Sequence, residues 1–222
     1  MADLHFNKSY TGRRSDLINL IAREKGIRNI LDVGCSTGVL GGQLKSAGQV
    51  YVAGLEKDRR MAQQAGKILD KVVCCDVEKA DLSRSFSKQY FDLIILGDVL
   101  EHFTDPWGMV KKLSHFLKPG RFMAASIPNI RYYTTFLHLL FKASWPYRER
   151  GIYDRTHLRF FTYRNMRELF ESNGFSLVRR IKKFRFIESP HPINHLASVL
   201  KFVPFNDIFT FQYLLLYRRV KA

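Results

Sequence analysis

The chain has 222 residues, 46% of them hydrophobic and 25% charged, with a formal net charge of +16. That length suits one domain, 1–222, of ordinary core size with room for an inserted subdomain. The N-terminus lacks the apolar core of a signal peptide, no apolar run is long enough to span a bilayer, and three cysteines in no framework spacing point to a reducing compartment. These features predict a cytoplasmic protein, attached at most to the inner face of a membrane.

Ser15 to Lys25 carries Leu17, Ile18, Leu20 and Ile21 on one side and reads as an amphipathic helix stopped by Gly26. Asn29 to Val33 is a short apolar run bounded by glycine, the pattern of a buried parallel strand. Gly34-Cys35-Ser36-Thr37-Gly38 follows as a turn, and Gly38 to Lys45 opens a helix. Such a strand, glycine turn and helix N-terminus make a ready place for a nucleotide-like ligand. Cys35 reads as a small filler in that turn.

Two further strands end in acids: Val52-Ala53-Gly54-Leu55-Glu56, followed by Lys57 and Asp58, and Val72-Val73-Cys74-Cys75-Asp76, followed by Val77. A fourth runs from Tyr90 to Gly97 and leads through Asp98-Val99-Leu100 to Glu101-His102. Pro106 to Phe116 then reads as a helix and Leu117 to Phe122 as the approach to a fifth strand. That strand ends at Ser126-Ile127-Pro128-Asn129, since proline cannot continue a central ladder. Alternation of helix and strand up to Ile127 marks βαβ units and a parallel sheet. Singly, Asp32, Glu56 or Asp76 could cap the next helix. Three acids at successive strand ends point instead to a ligand, because open α/β sheets bind beyond the carboxyl ends of their strands.

After Ile127 the rhythm stops. Asn129 to Phe161 is aromatic-rich and irregular, with a short helix predicted from Tyr132 to Phe141. Tyr163 to Asn173 reads as a helix stopped by Gly174. Phe175 to Phe186 and Phe209 to Arg219 read as two long strands, joined by a segment with its own apolar stretch, Ile193 to Val203. The aromatic group Tyr132, Tyr133, Phe136, Leu137, Leu139, Leu140, Phe141 and Trp145 lies beside Lys142, Arg148 and Arg150. Both a pocket lid and a membrane-surface helix have that composition. Long irregular insertions in compact domains are usually functional, so residues 129–161 are expected to form a substrate cover inserted in the domain.

Asp32, Gly34 and Gly38, then Glu56, Asp76 and the Gly97 strand, stand in the order of the class I S-adenosylmethionine-dependent methyltransferases, which residues 29–128 resemble. Ser36 stands where the family usually has a third glycine. The resemblance implies a Rossmann-like α/β fold: a seven-stranded, mostly parallel sheet with helices on both faces and a C-terminal antiparallel hairpin. It implies S-adenosylmethionine as cofactor, with the glycine turn near its methionyl part. Glu56 would take the ribose hydroxyls, Asp76 the adenine amino group and Val77 the adenine plane. Asp32 would organise the turn, and Gly97 would pass close to the donor sulfur. Cys35, Ser36, Lys57 and Asp98 complete the expected cofactor set. Tyr10 and Arg14 are further candidates for the cofactor carboxylate.

Gly151-Ile152-Tyr153-Asp154-Arg155-Thr156-His157-Leu158-Arg159-Phe160-Phe161-Thr162 resembles the substrate-side segment of ubiquinone-type O-methyltransferases. It is also similar to methyltransferases of bacterial cell-surface glycan synthesis. An imidazole there suits a general base toward a hydroxyl, so His157 and His102 are the candidate catalytic residues. His157 could equally fix its own loop, or ligate metal. Asp98-x-x-Glu101-His102 with His157 is similar to the metal-binding pattern of some small-RNA 2′-O-methyltransferases, while many relatives carry Leu-Glu-His with no metal. Residues 1–125 carry a net +5 and residues 126–222 a net +11. That field favours an anionic substrate or an anionic membrane surface. With no RNA-recognition or zinc-finger signature, nucleic acid is the less favoured partner. The expected reaction is methyl transfer to a small-molecule, lipid-linked or glycan acceptor at a hydroxyl. The alternatives are a metal-dependent RNA ribose methyltransferase and a non-catalytic S-adenosylmethionine-binding protein.

Overall fold

The computed structural model describes residues 12–220. Seven strands form one sheet in the order β3-β2-β1-β4-β5-β7-β6. They are β1 (Asn29–Val33), β2 (Tyr51–Glu56), β3 (Lys71–Cys74), β4 (Phe91–Gly97), β5 (Leu117–Pro128), β6 (Phe175–Phe184) and β7 (Thr210–Arg219). The first five pair in parallel, and β7 is antiparallel to both β5 and β6. The seven-stranded α/β architecture with its antiparallel C-terminal strands therefore matches the expectation.

Strand side chains alternate between two cores. On one face Leu31, Ile94 and Leu96 pack with α4 (Pro106–Ser114) and α6 (Tyr163–Glu171), through Met109, Val110, Leu113, Met166 and Phe170. On the other, Ile30, Leu93 and Ile95 pack with α1 (Ser15–Ile21), α2 (Val39–Ala47) and α3 (Arg59–Ala65), through Leu17, Leu20, Leu40, Leu44 and Ala65. Each such buried aliphatic side chain contributes about 1.5–3 kcal/mol. Asp92, 2% exposed at the start of β4, fastens the sheet by accepting the N–H groups of Arg28 and Asn29, both at 3.0 Å, and the Lys118 ammonium at 2.9 Å.

Element ends differ from the sequence expectation where long-range hydrogen bonds intervene. Helix α1 stops at Ile21 rather than Lys25: Arg179 of β6 donates to the Leu20 carbonyl and to Glu24, at 3.0 Å, satisfying the helix end early. Strand β6 stops at Phe184 rather than Phe186, because the carbonyls of Arg185 and Phe186 are taken by the hydroxyls of Tyr132, at 3.0 Å, and Tyr133, at 2.5 Å. The helix expected from Tyr132 to Phe141 is one α turn, α5 (Tyr133–Phe136), widening into a π turn over Leu137–Phe141. Helix α6 starts where the sequence placed it, with Thr162 and Asn165 forming a capping box, and its last residue is Glu171.

Candidate active site

The site lies beyond the carboxyl ends of the parallel strands, at the point between β1 and β4 where the strand order reverses. Gly34 and Gly38 have φ of +71° and +81°, a region glycine enters without strain. Gly34 is also closely packed, since a Cβ there would stand 2.5 Å from Cγ1 of Val99. The N–H groups of Gly34 and Cys35 donate to the Leu55 carbonyl at 2.8 and 3.0 Å. Ser36 donates its N–H to Oε2 of Glu56 at 2.8 Å, and Asp58 donates its N–H to Oε1 at 2.8 Å. One carboxylate thus fastens the turns after β1 and β2, and each of its oxygens retains a lone pair for another donor. Cys35 is buried and its thiol is pushed up by burial; its Sγ fills the space beside Gly54.

These turns open on a cavity of about 970 Å³. Of the expected site residues, Asp32, Gly34, Cys35, Ser36, Glu56, Lys57, Asp76, Val77, Gly97, Asp98, His102 and His157 line it. Gly38 stands behind the wall as the residue preceding α2. Asp32 is 3% exposed, and burial pushes its carboxyl up to about 7 against the opposing field of Arg14. Lys57 bonds Oδ2 of Asp76 at 3.0 Å, and that bond is the main cause of the lowered Asp76 carboxyl. Gly97 lies against α1, where a Cβ would come within 3.2 Å of Leu17 Cδ1. Tyr10 lies outside the described residues.

Asp98 has a left-handed backbone, φ +57°. Its Oδ1 accepts from the Ser126 hydroxyl and the Gln212 amide, both at 2.5 Å, and its Oδ2 from Arg14 at 2.7 Å. Arg14 also holds Asp16 at 3.0 Å. Asp98 does not join Glu101 and His102 as the resemblance to the metal-binding pattern implies. Only a single 3₁₀ turn, Leu100–His102, forms there, and the left-handed Asp98 sends its carboxylate to β5, β7 and the N-terminal segment instead.

Glu101, His102 and His157 do come together, each with a ligand-type atom within 4.8 Å of the others'. The segment carrying His157 is docked by the N–H groups of Leu158 and Arg159, which donate to the Glu101 carbonyl at 2.8 and 3.0 Å. His157 Nδ1 meets the Ile152 carbonyl at 3.1 Å, and His102 Nδ1 meets the Thr156 carbonyl at 3.2 Å. A carbonyl only accepts, and the Thr156 hydroxyl beside His102 Nδ1 donates to Asp154, so in the neutral ring each Nδ1 carries the proton and Nε2 the lone pair. His157 Nε2 stands 4.0 Å from Oε1 of Glu101. Both oxygens of Glu101 are buried without a hydrogen-bond partner among the described residues. Burial first, and the charge of Asp98 second, push that carboxyl well up. Burial first, and neighbouring His102 second, lower the imidazole of His157. Two imidazoles and a buried carboxyl within 4.8 Å of one another suit a shared proton or a cation, and these are the residues that could ligate one.

Residues 129–161 build a small core of their own, in which Tyr132, Ile152 and Tyr153 pack on Phe211. The remaining aromatics divide: Leu140 and Phe141 are 73% and 79% exposed, as is Phe202 (79%) beyond β6. No helix among the described residues is long and apolar enough to cross a membrane. At the β6–β7 end the cavity is lined by Lys183, Arg185, Glu188 and Gln212, which the sequence reading did not single out. The only local signal was the basic run Arg179 to Arg185.

Comparison with known proteins agrees with this geometry. A family model described as "Methyltransferase domain" matches residues 6–180. The chain is 25% identical over 197 residues to malonyl-[acyl-carrier protein] O-methyltransferase of Brevibacillus brevis, covering 86% of this chain and 70% of that protein. It is 29% identical over 105 residues to ubiquinone biosynthesis O-methyltransferase of a Shewanella strain, covering 46% of this chain and 44%, less than half, of that protein. Magnesium protoporphyrin IX methyltransferase from Synechocystis, solved with bound S-adenosylhomocysteine, superposes with a TM-score of 0.62 at 18% identity, over 96% of this chain and 82% of that one. The closely packed Gly34 turn and the half-satisfied Glu56 carboxylate fit such a cofactor. With the matched model covering most of its length, the chain belongs to the methyltransferase-domain family and is an S-adenosylmethionine-dependent methyltransferase.

Proposed function

We propose that the protein transfers a methyl group to a hydroxyl of a small-molecule, lipid-linked or glycan acceptor, with His157 as general base. The observation that carries this reading is the His157 imidazole: its Nδ1–H is committed to Ile152, so the Nε2 lone pair is free at the cavity wall. The O-methyltransferase names of the two relatives support the choice of oxygen. Bound S-adenosylmethionine supplies an electrophilic methyl on a sulfonium. The chain then has to align the acceptor, exclude water and take the hydroxyl proton.

In this reading Glu56 accepts the ribose diol, Asp76 the adenine amino group, and Val77 packs on the base. The turn from Gly34 to Gly38, with Cys35 and Ser36, lies along the methionyl part, and Asp32, Lys57, Gly97 and Asp98 complete the surround. Glu56→Ala is expected to weaken S-adenosylhomocysteine binding by about 1.5–3 kcal/mol, the range for a hydrogen bond to a charged group. Isothermal titration calorimetry on the folded variant checks it; unchanged affinity would remove Glu56 from the site. Calorimetry with S-adenosylmethionine, followed by transfer to pooled hydroxyl acceptors, tests the reading as a whole. Binding without transfer to any acceptor would favour a non-catalytic role.

A second reading, favoured by the convergence of Glu101, His102 and His157 within 4.8 Å, has a divalent cation held by these three donors. It would polarise the acceptor hydroxyl and lower its pKa in place of the base. Loss of activity with a chelator, restored by added divalent ion, selects it.

A further inference from the structure

Six basic side chains line the cavity: Arg14, Lys57, Arg148, Arg150, Lys183 and Arg185. Four are held in ion pairs with carboxylates. Arg14 bonds Asp98 at 2.7 Å, Lys57 bonds Asp76 at 3.0 Å, Lys183 bonds Asp16 at 2.7 Å, and Arg148 bonds Glu188. Arg150 has no hydrogen-bond or ion-pair partner among the described residues. Arg185 donates only to a neutral group, the Glu188 carbonyl at 2.6 Å, and its guanidinium lies 4.0 Å from the Phe211 ring centroid.

The carboxylates of this part of the wall have other partners: Glu149, beside Arg150, pairs with Arg155. Glu188 accepts from Arg148 and, at 2.6 Å, from the Thr134 hydroxyl, so its oxygens are bonded to neither Arg150 nor Arg185. Both guanidinium groups line one cavity with no carboxylate bonded to either; burial first, and Arg150 after it, lower Arg185, while Asp98 and Glu188 act against them. Arg150 is exposed and Arg185 half-buried, and like charges sharing one wall favour an anion between them. Guanidinium donors match the planar, bidentate geometry of carboxylate and phosphate oxygens. The sheet order sets their place: Arg185 follows β6 and packs on Phe211 of β7, at the opposite end of the sheet from Lys57 and Asp76 beside β2 and β3.

We propose that Arg150 and Arg185 form an oxyanion subsite for the acceptor, so that the molecule methylated carries a phosphate or carboxylate group away from its reacting atom. This rests on the methyltransferase reading of the same cavity, and it accounts for a pair of cations that the cofactor-side residues do not use. The π–cation contact with Phe211 holds the Arg185 fork in place, and Arg150 reaches the same cavity from residues 129–161.

The test uses the full chain saturated with S-adenosylhomocysteine, which keeps the probes out of the cofactor half. Inorganic pyrophosphate and malonate are titrated separately by calorimetry into the unaltered protein, Arg150→Ala, Arg185→Met and Arg164→Ala. Arg164 pairs with Glu168 on the exposed face of α6 and controls for the loss of one charge. Each cavity substitution should weaken the preferred anion about tenfold or more, the loss of a charge-assisted hydrogen bond, and Arg164→Ala less than twofold. Preference for pyrophosphate assigns a phosphate-bearing acceptor, and preference for malonate a carboxylate-bearing one. Weakening by all three variants alike, or by none, overturns the subsite. Failure of S-adenosylhomocysteine itself to bind the unaltered protein would instead overturn the reading on which it rests.

Discussion

Replacing His157 with alanine is expected to lower turnover about 10²–10⁴-fold, the usual contribution of a positioned acid or base, while affinity for S-adenosylhomocysteine barely changes. The side chain is 6% exposed and is held from two sides: its Nδ1 by Ile152, and its chain segment by the Glu101 carbonyl. A base must reach the proton with a free lone pair, and Nε2 is what this arrangement leaves. Burial and the neighbouring His102 depress the imidazole below its ordinary value, so the neutral, accepting form predominates at neutral pH. The sign of the pH dependence follows. The rate should be level near pH 7 and fall only as pH drops through the depressed value, below about 6.5, when Nε2 becomes protonated. Added imidazole should restore part of the rate to His157→Ala, because deletion opens space for the missing ring. A loss of less than about fivefold, or an acidic limb that persists in the variant, would leave His157 with only its loop to hold. If chelator abolishes activity and Glu101→Gln and His102→Ala fall as far as His157→Ala, the cation reading replaces the base.

How much of this was legible in the sequence depended on how far each contact reaches along the chain. The strand-turn-helix at Asn29 to Lys45 is written locally: apolar run, glycines needing positive φ, then helix. The strand and helix lie within two residues of the bounds that the pattern predicts. Glu56 was identified from its position at a strand end, but its double bond to Ser36 and Asp58 depends on β2 lying beside β1. The Asp98-x-x-Glu101-His102 pattern suggests one shared site. The partners of Asp98 are instead Arg14, 84 positions away, and Gln212, 114 away, which no local pattern encodes. Arg185 and Glu188 carry no local signal for the same reason, as their neighbours come from residues 134, 148 and 211. Local periodicity specified the elements that carry the cofactor side. The acceptor side is assembled by a hairpin and an insert whose contacts are long-range.

That insert carries the second large effect expected. Replacing residues 131–159 with a short glycine-serine linker should abolish methyl transfer and leave S-adenosylhomocysteine affinity within about twofold. The ends are suited to it: Asn129 and Phe161 form an isolated bridge, and the Ile130 N–H donates to the Phe161 carbonyl at 3.0 Å. The insert's buried residues, Tyr132, Ile152 and Tyr153, form a cluster separate from the two cores that flank the sheet. Among the expected cofactor residues none belongs to it, whereas His157, Arg148 and Arg150 all do. Removing it also frees the Arg185 and Phe186 carbonyls from Tyr132 and Tyr133 and uncovers Phe211, so the end of β6 should loosen while β1 to β5 keep their packing. Calorimetry and a transfer assay on the same preparation separate the two functions, with circular dichroism reporting whether the sheet survives. Loss of cofactor binding in step with loss of transfer, in a protein that still folds, would mean that residues 131–159 belong to the cofactor half rather than to a cover over the acceptor.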